Sequence, residues 1–147
     1  MLREKIFLIF KHFRVTGGEV LTDKNRFAVT PMFLKGFSQE EIKEELYNMV
    51  KDDFIKDKEN GILLTEKGEN AIYGTFDMND GINEISRMFQ HFGTAPNGFL
   101  PIASFYAKRN DMLSPITNKH LDKVLDECES RGYAERKNDG LILKKRF

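Results

Sequence analysis

The stretch Ser38 to Thr65, SQEEIKEELYNMVKDDFIKDKENGILLT, recurs in pattern though not letter for letter 79 positions later as Thr117 to Lys144, TNKHLDKVLDECESRGYAERKNDGLILK. Laid over one another without a gap, Ile42 meets Leu121, Leu46 meets Leu125, Met49 meets Cys128 and Phe54 meets Tyr133, apolar on apolar each time. The first three fall at i, i+4 and i+7, the spacing of a helix that buries one face, and an aromatic suited to a strand follows. Ser38 with Glu41 predicts a capping box; Thr117 has His120 at that place and is expected to cap alone. Phe54 to Lys58 and Ile62 to Thr65 then flank Glu59-Asn60-Gly61, and the second copy carries Asn138-Asp139-Gly140. Asn-Gly and Asp-Gly favour hairpin turns because both residues tolerate positive φ. The spacing therefore predicts a helix followed by a two-stranded hairpin, twice.

The same register continues upstream. Ile6, Phe10, His12 and Phe13 lie over the identical Ile85, Phe89, His91 and Phe92, and Leu21, Ala28 and Leu34 lie over Leu100, Ala107 and Leu113. One gapless offset serving an opening helix, a middle and a hairpin predicts an internal repeat. The expected domains are residues 1–74 and 82–147. Residues 75–81, bounded by Gly74 and Gly81 and rich in turn formers, are expected to link them. The expected class is mainly α with small β-hairpins, an α+β fold.

Other elements follow in order. Leu2 to Phe13 is amphipathic, and Val20-Leu21-Thr22 suits a short strand. A helix starting at Thr22 or Asp23 is expected to be interrupted at Pro31, which lacks the amide a helix interior uses. Thr65 is expected to cap Glu66 to Tyr73, with Ala71 and Ile72 inward. In the second copy Ile82 to Phe92 is helical. Phe99-Leu100 precedes Pro101, which is expected at the first position of the next helix.

Composition narrows the function classes. Among 147 residues there is one cysteine, so no intramolecular disulfide can form, and its place on the inward stripe makes Cys128 a core residue. No run of eighteen apolar residues occurs, and the start MLREKIFLIF is too soon charged at Lys11 for a signal segment. A cytoplasmic protein without membrane contact is expected. Residues 1–80 hold 12 Lys and Arg against 15 Asp and Glu, a net of −3, whereas residues 81–147 hold 11 against 8, a net of +3. The second half is the better match for a polyanion. No glycine-rich phosphate loop, paired catalytic carboxylates or nucleophile with an evident base is present. His12 and His91 lack a second ligand at helical or hairpin spacing. No enzyme activity, cofactor or metal is expected.

Helix, short strand, helix, third helix and hairpin is the order of the winged-helix domain, and the chain resembles two of them in tandem. Asp53-Phe54-Ile55, followed by Gly61-Ile62-Leu63-Leu64-Thr65-Glu66-Lys67-Gly68, looks like the end of many bacterial winged-helix regulators. The resemblance implies DNA binding, with the third helix in the major groove and the wing against the backbone or minor groove. By position the third helices are Ser38 to Asp52 and Thr117 to Arg131.

The first suits DNA poorly. Glu40, Glu41, Glu44 and Glu45 crowd it, so this helix is expected to serve a homodimer or protein partner. The second offers Thr117, Asn118, Lys119, His120 and Lys123, its wing adds Arg136, Lys137, Lys144, Lys145 and Arg146, and Lys108 and Arg109 complete one basic surface. The expected function is duplex DNA binding by a transcriptional or replication regulator. The alternative is a protein-interaction adaptor built from tandem winged helices.

Overall fold

A computed structural model describes all 147 residues. The chain is mixed α+β, with eight helices and two three-stranded antiparallel sheets. It divides into two compact units, Met1–Thr75 and Phe76–Phe147.

In unit 1, α1 (Leu2–His12) turns Ile6, Ile9 and Phe10 into the core. It is followed by β1 (Val20–Thr22), α2 (Asp23–Phe33), α3 (Gln39–Lys51), β2 (Ile55–Lys58), β3 (Gly61–Leu64) and α4 (Glu66–Tyr73). The α3 stripe delivers Ile42 and Met49 to the same core as Leu21, Ile55 and Leu64. Each such side chain, fully removed from water, contributes about 1.5–3 kcal/mol. The capping box is present, with Ser38 Oγ accepting from the Glu41 amide and Glu41 Oε1 from the Ser38 amide. Thr65 caps α4 through the Gly68 amide. In α4, however, Ala71 is exposed and Ile72 half-buried, whereas Gly68 and Glu69 are buried. The helix is held instead by Glu69, which accepts from the Gly17 amide at 2.8 Å, and by Tyr73, whose hydroxyl donates to the Val15 carbonyl at 2.7 Å. Burial pushes the Tyr73 phenol up to about 12.

Unit 2 contains α5 (Met78–His91), β4 (Phe99–Pro101), α6 (Ile102–Met112), α7 (Pro115–Lys119), α8 (Leu121–Ser130), β5 (Ala134–Lys137) and β6 (Gly140–Leu143). Its core joins Ile85 and Phe89 of α5, Phe105 of α6, Val124, Leu125 and Cys128 of α8, and Leu141 and Leu143 of β6.

The two sheets share one plan. β3 lies between β1 and β2, and β6 between β4 and β5. Val20 pairs with Leu63 and Ile55 with Leu64; Phe99 pairs with Ile142 and Ala134 with Leu143, each residue 79 positions on. Left-handed backbone also falls at the same offset, at Arg14 and Gly93, Gly18 and Asn97, and Asp53 and Gly132.

Four expectations are corrected by the structure. The segment assigned to a linker is helical from Met78, because Asp77 caps α5 through the Asp80 amide and Gly81 packs on Val124. Pro31 does not stop α2, which runs on to Phe33 with Pro31 inside it. No residue of α2 is fully buried, so a carbonyl left without an amide partner there can turn to water. Pro101 is not the first residue of α6; it caps that helix while ending β4 opposite Gly140. Neither Asn60-Gly61 nor Asp139-Gly140 has positive φ. Both glycines lie inside strands, where a Cβ would overlap the carbonyl oxygens of Leu21 and Leu100 on the neighbouring strand. Glycine is needed there for close backbone approach.

Candidate interaction surfaces

The helix expected over Thr117 to Arg131 is two helices. It breaks at His120 (φ −106°, ψ 22°), whose ring lies 4.4 Å from that of Phe76. The first piece starts earlier than expected, at Pro115, and its cap is Ser114, whose hydroxyl accepts from the Thr117 amide. Thr117 is therefore not the cap. It is buried, and its hydroxyl donates to Glu84 Oε2 at 2.6 Å. Glu84 also accepts from the Ser114 amide and hydroxyl, tying α5 to the start of α7.

Other residues of the expected nucleic-acid surface are engaged within the chain. Arg109 Nε donates to Asn118 Oδ1 at 2.9 Å, and its guanidinium lies over Tyr106. Asn118 in turn donates to Asn110. Arg136 pairs with Asp126 and Glu129. Lys137 and Lys144 grip Glu135 from either side at 2.7 and 2.9 Å. Hydrogen bonds from these two ammonium groups hold the Glu135 carboxyl down at about 2, against an ordinary 4.5. Lys145 lies over the Tyr133 ring at 5.2 Å. Lys119, Lys123 and Arg146 are exposed and Lys108 is half-buried. The basic set thus contains Thr117 tied to Glu84, a chain of hydrogen bonds from Arg109 through Asn118 to Asn110, and a hairpin in which Arg136, Lys137 and Lys144 face carboxylates of the same unit.

The charge division also narrows. With the boundary after Thr75, Asp77 and Asp80 belong to unit 2, so unit 1 holds 12 Lys and Arg against 13 Asp and Glu and unit 2 holds 11 against 10. The units differ by two charges, −1 against +1.

On unit 1 the four glutamates separate by role. Glu41 belongs to the cap, and Glu45 pairs with Arg3 at 2.7 Å, leaving Glu40 and Glu44 on the exposed face of α3. More conspicuous there is apolar surface that the charge count hid. Phe27 is 59% exposed, Tyr47 64% and Val50 41%. They border two adjoining hollows of about 410 and 340 Å³ that share Arg26, Lys43 and Leu46 as lining. The repeat register holds a signal for them: 79 positions after Arg26 stands Phe105, and after Tyr47 and Val50 stand Asp126 and Glu129.

His12 packs edge-on against Phe13 and Phe33, and His91 against Phe92. No group of three or more His, Cys, Asp and Glu residues is arranged to hold a metal ion. Burial pushes the Cys128 thiol up to about 11. No helix is long and apolar enough to cross a membrane. Comparison with protein-family models, with curated proteins and with solved structures yields no match.

Proposed function

We propose that the chain is a non-enzymatic cytoplasmic DNA-binding protein, a transcriptional or replication regulator made of two tandem winged-helix domains that arose as an internal repeat. Unit 2 makes the principal contact with duplex DNA. The shared strand order, pairing register and left-handed positions support the tandem winged-helix reading. The observation that carries the DNA reading is the exposure of Lys119 and Lys123 on either side of the α7–α8 break, with Lys145 and Arg146 at the end of the wing. The in-chain pairs of the wing are compatible with this. Exposed ion pairs contribute only ~0–1 kcal/mol each, so phosphates can take Lys137 and Lys144 from Glu135. Binding without strong sequence preference and with steep salt dependence follows, because each neutralised phosphate releases counterions.

The test is fluorescence anisotropy of the whole chain on random-sequence duplex across a salt series. Four phosphate contacts predict a slope of about −3 to −4 in log K against log salt. Lys119→Glu with Lys123→Glu is expected to weaken binding at least about tenfold. Unchanged affinity in that variant would sink the DNA reading.

A second reading, a protein-interaction adaptor acting through unit 1, is favoured by one observation. The exposed Phe27, Tyr47 and Val50 border a groove that no side chain of the unit fills. The two readings are compatible, one per unit.

A further inference from the structure

α2 and α6 span matching residues at the 79-residue offset, Asp23–Phe33 and Ile102–Met112, yet they bury different things. As its fourth residue α6 presents Phe105, which is 1% exposed and part of the unit 2 core. α2 presents Arg26 instead and buries no residue fully. In unit 2, Arg136 of β5 pairs with Asp126 and Glu129 of α8. At the matching places unit 1 has Asp57, Tyr47 and Val50, which make no such bridge. Unit 1 therefore has a crevice between α2 and α3 lined by Arg26, Tyr47 and Val50, where unit 2 carries a core Phe105 and the ion-paired Asp126 and Glu129.

The lining of that crevice is chemically one-sided in its smaller part. Its smaller hollow holds Arg26 and Lys43 with Phe27, Ile42 and Leu46, and no carboxylate. The Arg26 guanidinium lies over the Phe27 ring at 4.4 Å, its Nε is buried without a hydrogen-bond partner, and its ion pair to Asp23 spans 3.5 Å. Arg26 and Lys43 both line the smaller hollow, so an anionic group entering it meets two cations. The larger hollow continues along α3 beneath Leu46, Tyr47 and Val50 to Ile55 and Ile62 of the sheet, with Asp23 and Asp57 at its hairpin side. The two hollows share Arg26, Lys43 and Leu46 and together run along one face of α3 from Gln39 to Val50, an elongated shape suited to an extended segment.

From this charge and shape we propose that the α2–α3 groove of unit 1 docks a protein segment carrying a carboxylate beside apolar anchors, such as one face of an acidic amphipathic helix. The carboxylate meets Arg26 and Lys43, and the anchors lie along Leu46, Tyr47 and Val50. This inference rests on the adaptor reading of unit 1 and is independent of DNA binding by unit 2. Helix-in-groove recognition of this kind uses anchors at i, i+3 or i+4 and i+7.

The experiment is an amide-resolved NMR titration of the whole chain with three synthetic helical peptides. One has Leu and Phe anchors at those positions with glutamates between them, one has lysines replacing the glutamates, and one has alanines replacing the anchors. Saturable shifts confined to α2, α3 and β2 with the first peptide alone are expected, and at least about tenfold weaker binding by Lys43→Glu, an exposed substitution that leaves the core intact. Equal binding of the lysine peptide in the groove overturns the carboxylate specificity while sparing the docking reading. No groove shifts with any peptide overturns both, and so do groove shifts produced by free phenylacetate when the peptides produce none.

Discussion

Glu84 of α5 and Thr117 of α7 are joined by a 2.6 Å hydrogen bond, and the same carboxylate takes the amide and hydroxyl of Ser114. A residue expected to reach out to a nucleic acid is thus turned inward, and its hydroxyl ties α7 to α5. Glu84→Ala leaves these donors with water at best, so unit 2 is expected to lose about 1–2 kcal/mol. Urea denaturation followed by amide resonances of unit 2 measures this, and unit 1 resonances serve as the internal reference. Unchanged unit 2 stability would show that the carboxylate positions nothing.

Gly140→Ala is expected to damage unit 2 more than an ordinary strand substitution does. Its Cβ would meet the Leu100 carbonyl and the Phe99 ring, and backbone on the neighbouring strand cannot yield as a flexible side chain can. A loss of about 2–3 kcal/mol is expected, at the upper end of overpacking costs. Gly61→Ala in unit 1 meets the Leu21 carbonyl in the same way and is expected to behave alike. A thermal shift of either variant within a degree of the parent would refute the close-approach argument.

The Glu135 carboxyl is held down by Lys137 and Lys144, which gives a definite pH signature. A depressed carboxyl supports the folded state above its unfolded value of about 4.5 and loses that support as pH falls through its folded value. The window therefore runs from about 4.5 down to about 2. Carboxyl-carbon NMR titration should find the Glu135 midpoint near the lower value. Glu135→Gln should release both lysines and tighten random-sequence duplex binding about threefold at low salt. A midpoint near that of an ordinary glutamate would remove the bracket.

Cys128 is completely buried, and its thiol is raised by desolvation. Native protein is expected to resist Ellman's reagent at pH 8 and to react fully once unfolded in guanidinium. The sign follows from linkage: above pH 9 the unfolded thiol ionises while the folded one holds its proton until about 11, so stability falls across that interval. Rapid labelling of the native chain would indicate an accessible thiol.

Much of the fold was legible because local chemistry acts over a few residues. The i, i+4, i+7 stripe of Ile42, Leu46 and Met49, the Ser38–Glu41 box and the Thr65 cap all reappear in the structure. The Thr117 cap failed because Ser114-Pro115 three residues earlier is the stronger start, which the alignment with Ser38 obscured. The site was less legible, since the value of a cation depends on its neighbours across the fold. Arg136 counts as a basic wing residue in a list and as a bridge between Asp126 and Glu129 in space.

The sequence by itself determined where most helices and strands form, because helix periodicity, capping and strand composition are properties of short segments. Only the tertiary structure decided that Gly61 and Gly140 make room for a neighbouring backbone, that Thr117 faces Glu84, and that Arg26 borders an open groove where Phe105 fills a core. Those outcomes depend on which surfaces meet across the fold, and hydrogen bonding and desolvation act only on groups that have been brought together.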